Sequence, residues 1–198
     1  MILGITGKKG SGKDTFARPL IEDGWHHFKF ADPLKAMLDV MLWYSGVEYL
    51  ERHQLINGSR KEEPLDVLGG QTTRHAMQTL GTEWRDTICE NLWTNIWLNR
   101  VKEALADGNF NIVCTDVRFP HEVEAVRSLG GKIIRIVNGF SPSDSSDTHA
   151  SETLMDNIVP DFTYKNKLVC ETLNVSKEIA ANTEVDDYGI LDRVLGNT

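Results

Sequence analysis

The sequence has no surplus of basic residues. Its 198 residues include 21 Lys and Arg against 29 Asp and Glu, which gives a formal net charge of −8. Proteins that bind duplex nucleic acid or anionic membranes usually gather cations, because neutralising phosphates and releasing their counterions drives that association. The charge balance therefore disfavours a nucleic-acid polymer or a membrane surface as the partner.

Cysteine and long apolar runs are also scarce. The three cysteines, Cys89, Cys114 and Cys170, lie far apart with no CxxC pair, so they predict free thiols rather than disulfides or a metal site. No apolar run approaches the ~18 residues of a membrane span, and the first residues lack a signal-peptide pattern. We expect a cytoplasmic protein. The composition, 40% hydrophobic and 25% charged, predicts one globular domain over residues 1–198.

The clearest motif lies at the N-terminus. Residues 2–6 are a short run of β-formers, residues 7–15 read GKKGSGKDT, and an apolar pattern at helical spacing follows. The spacing Gly7-x4-Gly12-Lys13 is that of a phosphate-binding loop (P-loop), in which backbone N–H groups and a helix N-terminus attract phosphate oxygens. This predicts that Lys13 reaches the β- and γ-phosphates of a nucleotide.

The loop departs from the common pattern after its lysine. Asp14 stands where a Ser or Thr is usual, and the hydroxyl arrives one residue later as Thr15. This delay favours nucleotide and metabolite kinases over guanine-nucleotide switches, and residues 166–168 also lack the aspartate of a guanine-specificity motif. Asp14 has two open interpretations, an N-cap of the helix or a carboxylate near Mg²⁺ through water.

Two further helix starts carry candidate residues. Asp32 and Pro33 predict the N-cap and first position of a helix, in whose first turn Lys35 is unexpected unless it binds a phosphate or is simply solvated. Residues 44–70 show no regular spacing of apolar residues and predict an insertion or lid that is helical in part and mobile.

A helix that begins at Thr72 or Thr73 is expected to end at Gly81, and Thr82 is expected to cap the next helix.

The next long helix contains Trp93, which is either a core residue or a flat surface for a nucleobase. Residues 111–116 then predict a buried strand that ends in Asp116. Because ligands collect outside the carboxyl ends of parallel strands, Asp116 is expected beside the P-loop, facing Mg²⁺ or a substrate hydroxyl. Arg118 is the candidate for stabilising transition-state charge. A strand over residues 132–137 completes a βαβ order.

Taken together, these motifs resemble the bacteriophage deoxynucleoside monophosphate kinases. The resemblance covers roughly residues 1–175 and rests on five segments in order: 7–15, 31–35, 77–83, 116–122 and 147–152. It implies a three-layer α/β/α P-loop fold with a parallel central sheet and a helical lid. It also implies Mg²⁺-dependent transfer of the ATP γ-phosphoryl group to a deoxynucleoside monophosphate.

The resemblance also assigns residues to roles. Lys13, Asp116 and Arg118 are implied as catalytic, and Thr15 and Asp116 as holding Mg²⁺, directly or through water. The implied ATP-binding residues are Gly10, Ser11, Gly12, Lys13, Asp14 and Thr15. The implied monophosphate-binding residues are Lys9, Leu34, Lys35, Arg74, Gly81, Thr82, Trp93, Asp116, Arg118, Glu122 and Thr148.

Some points stay open at this stage. Gly10 stands where some relatives have a cation, and the 44–70 segment cannot be matched, so Arg52 and Arg60 are undecided substrate arginines. Alternatives to this function are a kinase of another small acceptor, such as dephospho-coenzyme A, and a non-catalytic ATP-binding protein. No sequence pattern indicates which bases are accepted or whether the protein forms a homodimer. Residues 182–198 predict an acidic link and a terminal helix.

Overall fold

The computed structural model describes residues 1–108, 111–138, 157–166, 169–181 and 189–195. The strands are β1 (Ile2–Thr6), β2 (His26–His27), β3 (Pro64–Leu65), β4 (Gln71–Thr72), β5 (Ile112–Cys114), β6 (Lys132–Asn138) and β7 (Phe162–Asn166). The helices are α1 (Lys13–Glu22), α2 (Asp32–Tyr44), α3 (Tyr49–Ile56), α4 (Thr73–Thr87), α5 (Leu92–Ala106), α6 (Pro120–Ser128), α7 (Val169–Ala181) and α8 (Gly189–Leu195). Thr148, with the rest of the 147–152 segment, and residues 182–188 of the predicted acidic link lie outside the described residues.

The chain folds as two compact units. The first combines Met1–Lys29 with Trp97–Thr198, and the second is Phe30–Ile96. The second unit is therefore wider than the 44–70 insertion that the sequence predicts. Among the described residues, no helix is both long and apolar enough to cross a membrane.

The first unit is built on a five-stranded sheet in the order β2-β5-β1-β6-β7, in which every neighbouring pair is parallel. The central β1 is entirely buried. One face packs Leu3 and Ile5 against α1, α7 and α8, through side chains such as Phe16 and Leu191. On the other face Val126 of α6 approaches Gly4. Helices on both faces give the three-layer α/β/α fold that the sequence predicts.

Parallel strands bring their carboxyl ends to one edge of the sheet. The loop after β1, the residues after β5 and the end of β7 share that edge. In the parallel register Gly4 is level with Cys114, which places Asp116 level with Thr6 at the start of the P-loop. The sheet thus assembles a candidate site from segments more than 100 residues apart in sequence.

The second unit is helical apart from the antiparallel β3–β4 pair and one 3₁₀ turn at Asp66–Leu68. Its core consists of Leu38 and Leu42 from α2 with Leu55 and Ile56 from α3. The predicted irregular segment is thus helical in part, as α3.

Two predicted boundaries in this unit are wrong. Gly81 does not end a helix and Thr82 does not cap one, because α4 continues through both to Thr87. Gly81 keeps a helical backbone, and a Cβ there would make an ordinary van der Waals contact with Leu34 Cδ1 at 3.4 Å. Asp32 is also not the N-cap of α2, since the helix already begins at Asp32 and Ala31 precedes it.

Candidate nucleotide-binding site

The P-loop joins β1 to α1 and depends on its glycines. Gly7, Gly10 and Gly12 have φ of 146°, 78° and 97°, which side-chain-bearing residues rarely adopt. A side chain at Gly7 would collide with the Ile136 carbonyl, and one at Gly12 would collide with the Asn166 amide. At Gly7 and Gly12, both the backbone conformation and the available space therefore require glycine. The loop can then turn its backbone towards an anion at the N-terminus of α1.

Lys13 is the first residue of α1 and folds back over the loop. Its Nζ donates hydrogen bonds to the carbonyl oxygens of Gly7, at 2.5 Å, and Lys8, at 2.8 Å. These contacts hold a cation against the loop. The buried Ser11 Oγ has no hydrogen-bond partner among the described residues, and an unpaired buried hydroxyl is costly. A polar ligand at the loop would supply that partner.

Asp14 occupies the first turn of α1 but does not cap it, because the N-cap is Gly12. Its exposed carboxylate accepts from Lys29 Nζ and from Thr115 Oγ1, both at 3.3 Å. Partial desolvation raises the pKa of Asp14, but the Lys29 ammonium, with help from Thr115 and Lys13, outweighs it and lowers the pKa overall. Asp14 is therefore an ionised carboxylate whose charge is neutralised by a lysine that the sequence pattern does not single out.

The same contacts fix the direction of a small hydrogen-bond chain. An ionised carboxylate can only accept, so the Thr115 hydroxyl donates to Asp14. Its oxygen then accepts from His27 Nε2, 3.0 Å away. The ends of β2 and β5 are thereby tied to the first turn of α1.

Asp116 lies two residues beyond β5, beside the P-loop edge of the sheet. The Cys114 thiol donates to its Oδ1 at 3.2 Å, and burial, followed by the nearby Asp116 charge, raises the pKa of that thiol well above its ordinary value. Cys114 is therefore a protonated core thiol, and Cys89 is also free. Asp116 is half-buried, as is Arg118.

Glu122 organises the segment after Asp116. Its side chain is 7% exposed, and its Oε2 accepts from the backbone N–H of Arg118 at 2.6 Å and of Phe119 at 3.0 Å. Burial, followed by repulsion from Asp116, raises the pKa of Glu122 to about 8. The resemblance assigns Glu122 to the monophosphate. In the structure this carboxyl group holds the backbone that carries Arg118.

The residues present fit a magnesium ion of the type that nucleotides carry. No group of three or more His, Cys, Asp or Glu side chains forms a metal cluster in the described part of the chain. Such a cluster is not needed, because Mg²⁺ in kinase sites uses one or two protein oxygens together with phosphates and waters. Thr15 in the first turn of α1 and Asp116 after β5 are hard oxygen donors of this kind.

Six of the residues assigned to the monophosphate belong to the second unit, namely Leu34, Lys35, Arg74, Gly81, Thr82 and Trp93, whereas Lys9 lies in the P-loop of the first unit. Lys35 is half-buried in the first turn of α2, and Arg74 forms an ion pair with Glu62. Trp93 is 8% exposed, donates its N–H to the Gly81 carbonyl at 3.0 Å and stacks on Trp84. Trp93 is thus a packed residue in this unit, and its contact with a nucleobase stays a prediction.

The two undecided arginines both have partners within the second unit. Arg52 Nε pairs with Asp39 at 2.8 Å, and its Nη1 donates to the Val47 carbonyl at 2.7 Å. Arg60 makes a two-pronged ion pair with Glu63, at 2.5 and 2.7 Å. These contacts give both side chains structural roles.

The sequence reasoning missed three residues at the P-loop. Lys29 and Thr115 bind Asp14, and Asn166 donates through Nδ2 to the Ser11 carbonyl at 3.1 Å. The signal available for Asn166 was its place at the end of a strand. Nothing in the sequence indicated which loop that strand end would face.

The parallel sheet, the glycine loop between its central strand and α1, and the strand-end carboxylate define a P-loop nucleotide-binding protein with an α/β kinase-like fold. The family model described as deoxynucleotide monophosphate kinase matches residues 66–175. A curated protein of Acanthamoeba polyphaga mimivirus, named "Putative deoxynucleotide monophosphate kinase", is 33% identical over 162 residues, 77% of this chain and 80% of that protein. The chain belongs to the deoxynucleotide monophosphate kinase family and is a phosphotransferase. The resemblance seen in the sequence is confirmed at the level of the family.

Two solved structures are also similar to the chain. TT1252 from Thermus thermophilus is 16% identical, with 93% of this chain and 98% of that chain covered and a TM-score of 0.49. A dephospho-CoA kinase from Campylobacter jejuni is 17% identical, with 92% and 98% covered and a TM-score of 0.45. The matched family region begins at residue 66, so the P-loop of residues 7–15 is an observation independent of that match.

Proposed function

We propose that this protein transfers the γ-phosphoryl group of ATP to a deoxynucleoside 5′-monophosphate and releases the diphosphate and ADP. The family supplies the class of reaction, with ATP as the implied donor. The single observation that carries the donor site is the P-loop, in which Lys13 lies over the Gly7 and Lys8 carbonyls at the start of α1. A cation, a helix N-terminus and glycine backbone together suit a triphosphate.

The proposed reaction needs no covalent intermediate. An oxygen of the acceptor phosphate attacks the γ-phosphorus of ATP, the bond from that phosphorus to the β,γ-bridging oxygen breaks, and ADP leaves. Charge on the moving phosphoryl group is stabilised by Lys13, by the loop N–H groups and by Arg118, whose backbone Glu122 holds in place. In this proposal Thr15 and Asp116 hold Mg²⁺, directly or through water, and the bound ion would neutralise phosphate charge.

The acceptor side rests on the resemblance. Lys35 in the first turn of α2 is a cation near a helix N-terminus, which together suit a monophosphate. Arg74 would have to exchange Glu62 for the phosphate in order to contribute. The net charge of −8 favours a small free nucleotide over a nucleic-acid strand as the partner.

The proposal is tested by measuring ADP release with each deoxy- and ribonucleoside monophosphate as acceptor, and with dephospho-coenzyme A. We expect turnover with at least one deoxynucleoside monophosphate, dependence on Mg²⁺, and none with dephospho-coenzyme A. ATP binding without ADP release on any monophosphate would contradict the proposed function.

The variant Lys13→Ala tests whether the P-loop is the ATP-binding site. We expect transfer to fall by a factor of about 10³ or more, because the cation at the moving phosphoryl group is lost. Circular dichroism should be unchanged, because the hydrogen bonds that Lys13 donates to the Gly7 and Lys8 carbonyls lie in the loop and not within a helix or strand. A variant with near wild-type turnover would refute the P-loop assignment.

A further inference from the structure

We propose that Asn166 is a positioning residue for the P-loop, which fixes the Ser11–Gly12 backbone so that its N–H groups stay directed at the phosphates of ATP. This rests on the proposed function for the identity of the nucleotide. Asn166 is the last residue of β7, and 155 positions separate it in sequence from Ser11.

The contact of Asn166 with the loop is direct. Its Nδ2 donates to the Ser11 carbonyl at 3.1 Å and lies where a side chain on Gly12 would have to go. Ser11 therefore stands between Gly10 and Gly12, two residues with left-handed backbones, and is held from outside by an amide. Glycines on both sides make this part of the loop intrinsically free, so an outside hydrogen bond has a large share in setting its conformation.

The orientation of the Asn166 amide is itself fixed. The Ser11 carbonyl can only accept, so the amide nitrogen of Asn166 must face it. The amide oxygen then faces α7, where the hydroxyl of the fully buried Thr172 donates to Oδ1 at 2.5 Å. The Thr172 hydrogen bond thus holds the amide in the orientation that the Ser11 carbonyl sets.

The same network also connects β7 and α7 to α1, the helix that follows the loop. The Tyr164 hydroxyl lies 3.4 Å from Thr172 Oγ1, and its ring packs against Phe16 of α1. Ser176 of α7 donates to the Phe16 carbonyl. The end of β7, α7 and the start of α1 thus hold the loop as one assembly, with Asn166 as the part that reaches the loop backbone.

The experiment compares wild type with Asn166→Ala, Asn166→Asp, Thr172→Val and the Asn166→Ala/Thr172→Val double variant. Thr163→Ala, at an exposed position of β7, is the control. The dissociation constant of ATP is measured by calorimetry without acceptor, and KM for ATP, KM for the monophosphate, kcat and Tm are measured separately.

We expect Asn166→Ala to weaken ATP binding about 3- to 10-fold, the loss of one hydrogen bond, with KM for the monophosphate within about twofold of wild type. Asn166→Asp should bind ATP more weakly still, because it sets an acceptor against the Ser11 carbonyl and adds negative charge. Thr172→Val should give a smaller loss. In the double variant, Thr172→Val should cause no further loss of ATP affinity beyond that of Asn166→Ala, because Thr172 acts on the loop through Asn166.

Unchanged ATP binding in Asn166→Ala would overturn the inference. So would equal losses for ATP and monophosphate together with a lower Tm, because that pattern indicates a general packing role. If the wild-type protein binds ATP but phosphorylates no monophosphate, the proposed function fails. The calorimetric comparison of the variants still decides the role of Asn166 in that case.

Discussion

Glu122 makes the stability of this protein depend on pH in a direction opposite to that of an ordinary paired carboxylate. Burial, followed by repulsion from Asp116, raises the pKa of Glu122 from 4.5 to about 8, against the opposing effects of two backbone N–H donors and Arg118. The folded state therefore keeps a proton that the unfolded chain releases between those two pH values. Below pH 4.5 both states are protonated and there is no penalty.

The free energy of unfolding should fall as pH rises through this window. The Glu122 contribution changes by up to about 1.4 kcal/mol per pH unit, or about 2–3 kcal/mol between pH 5.5 and 7.5. Other titrating groups add their own slopes, so the prediction concerns the difference between wild type and a variant in which this one group cannot ionise.

Glu122→Gln is that variant. Both backbone N–H groups donate to the same oxygen, Oε2, so a glutamine carbonyl at that place accepts both bonds without a charge. Urea unfolding followed by tryptophan fluorescence, in EDTA at pH 5.5 to 8.5, should show Glu122→Gln gaining about 2–3 kcal/mol relative to wild type from pH 5.5 to 7.5. Glu124→Gln, exposed on the same helix, is the control and should leave the slope unchanged. Parallel curves for wild type and Glu122→Gln would refute the reasoning.

Two other variants separate binding from structural roles. Lys29→Met should weaken ATP binding measured by calorimetry, because it removes the ion pair of the Asp14 carboxylate beside the proposed phosphate site. Adding Asp14→Asn should restore the affinity for ATP. No loss in Lys29→Met, or no rescue in the double variant, would contradict this account. Arg52→Met should lower the free energy of unfolding, measured in urea, by about 1–3 kcal/mol, because Asp39 and the Val47 carbonyl lose their hydrogen-bond donor. KM for the monophosphate should be unchanged. A raised KM would show that Arg52 contacts the substrate.

Local patterns were predictable to within a few residues. The apolar run of residues 2–6 became β1, and the glycine loop and helix followed it directly, since strand, turn and helix signals of this kind depend on neighbouring residues. The strand that the sequence predicts over residues 132–137 is present as β6. Gly81 shows where local reasoning fails. Its sequence signature is that of a helix end, but α4 continues through it to Thr87.

The sequence by itself determined the P-loop, the place of Asp116 shortly after a buried strand and the class of chemistry, because each is encoded within a few consecutive residues; the strand itself ends at Cys114, two residues earlier than predicted. Only the tertiary structure decided which charges are already paired and which residues hold the loop. Lys29 and Thr115 reach Asp14, and Asn166 reaches Ser11, because the parallel order of β2, β5, β1, β6 and β7 brings distant strand ends to one edge. Such contacts depend on strand order and register, which no short segment of the chain contains.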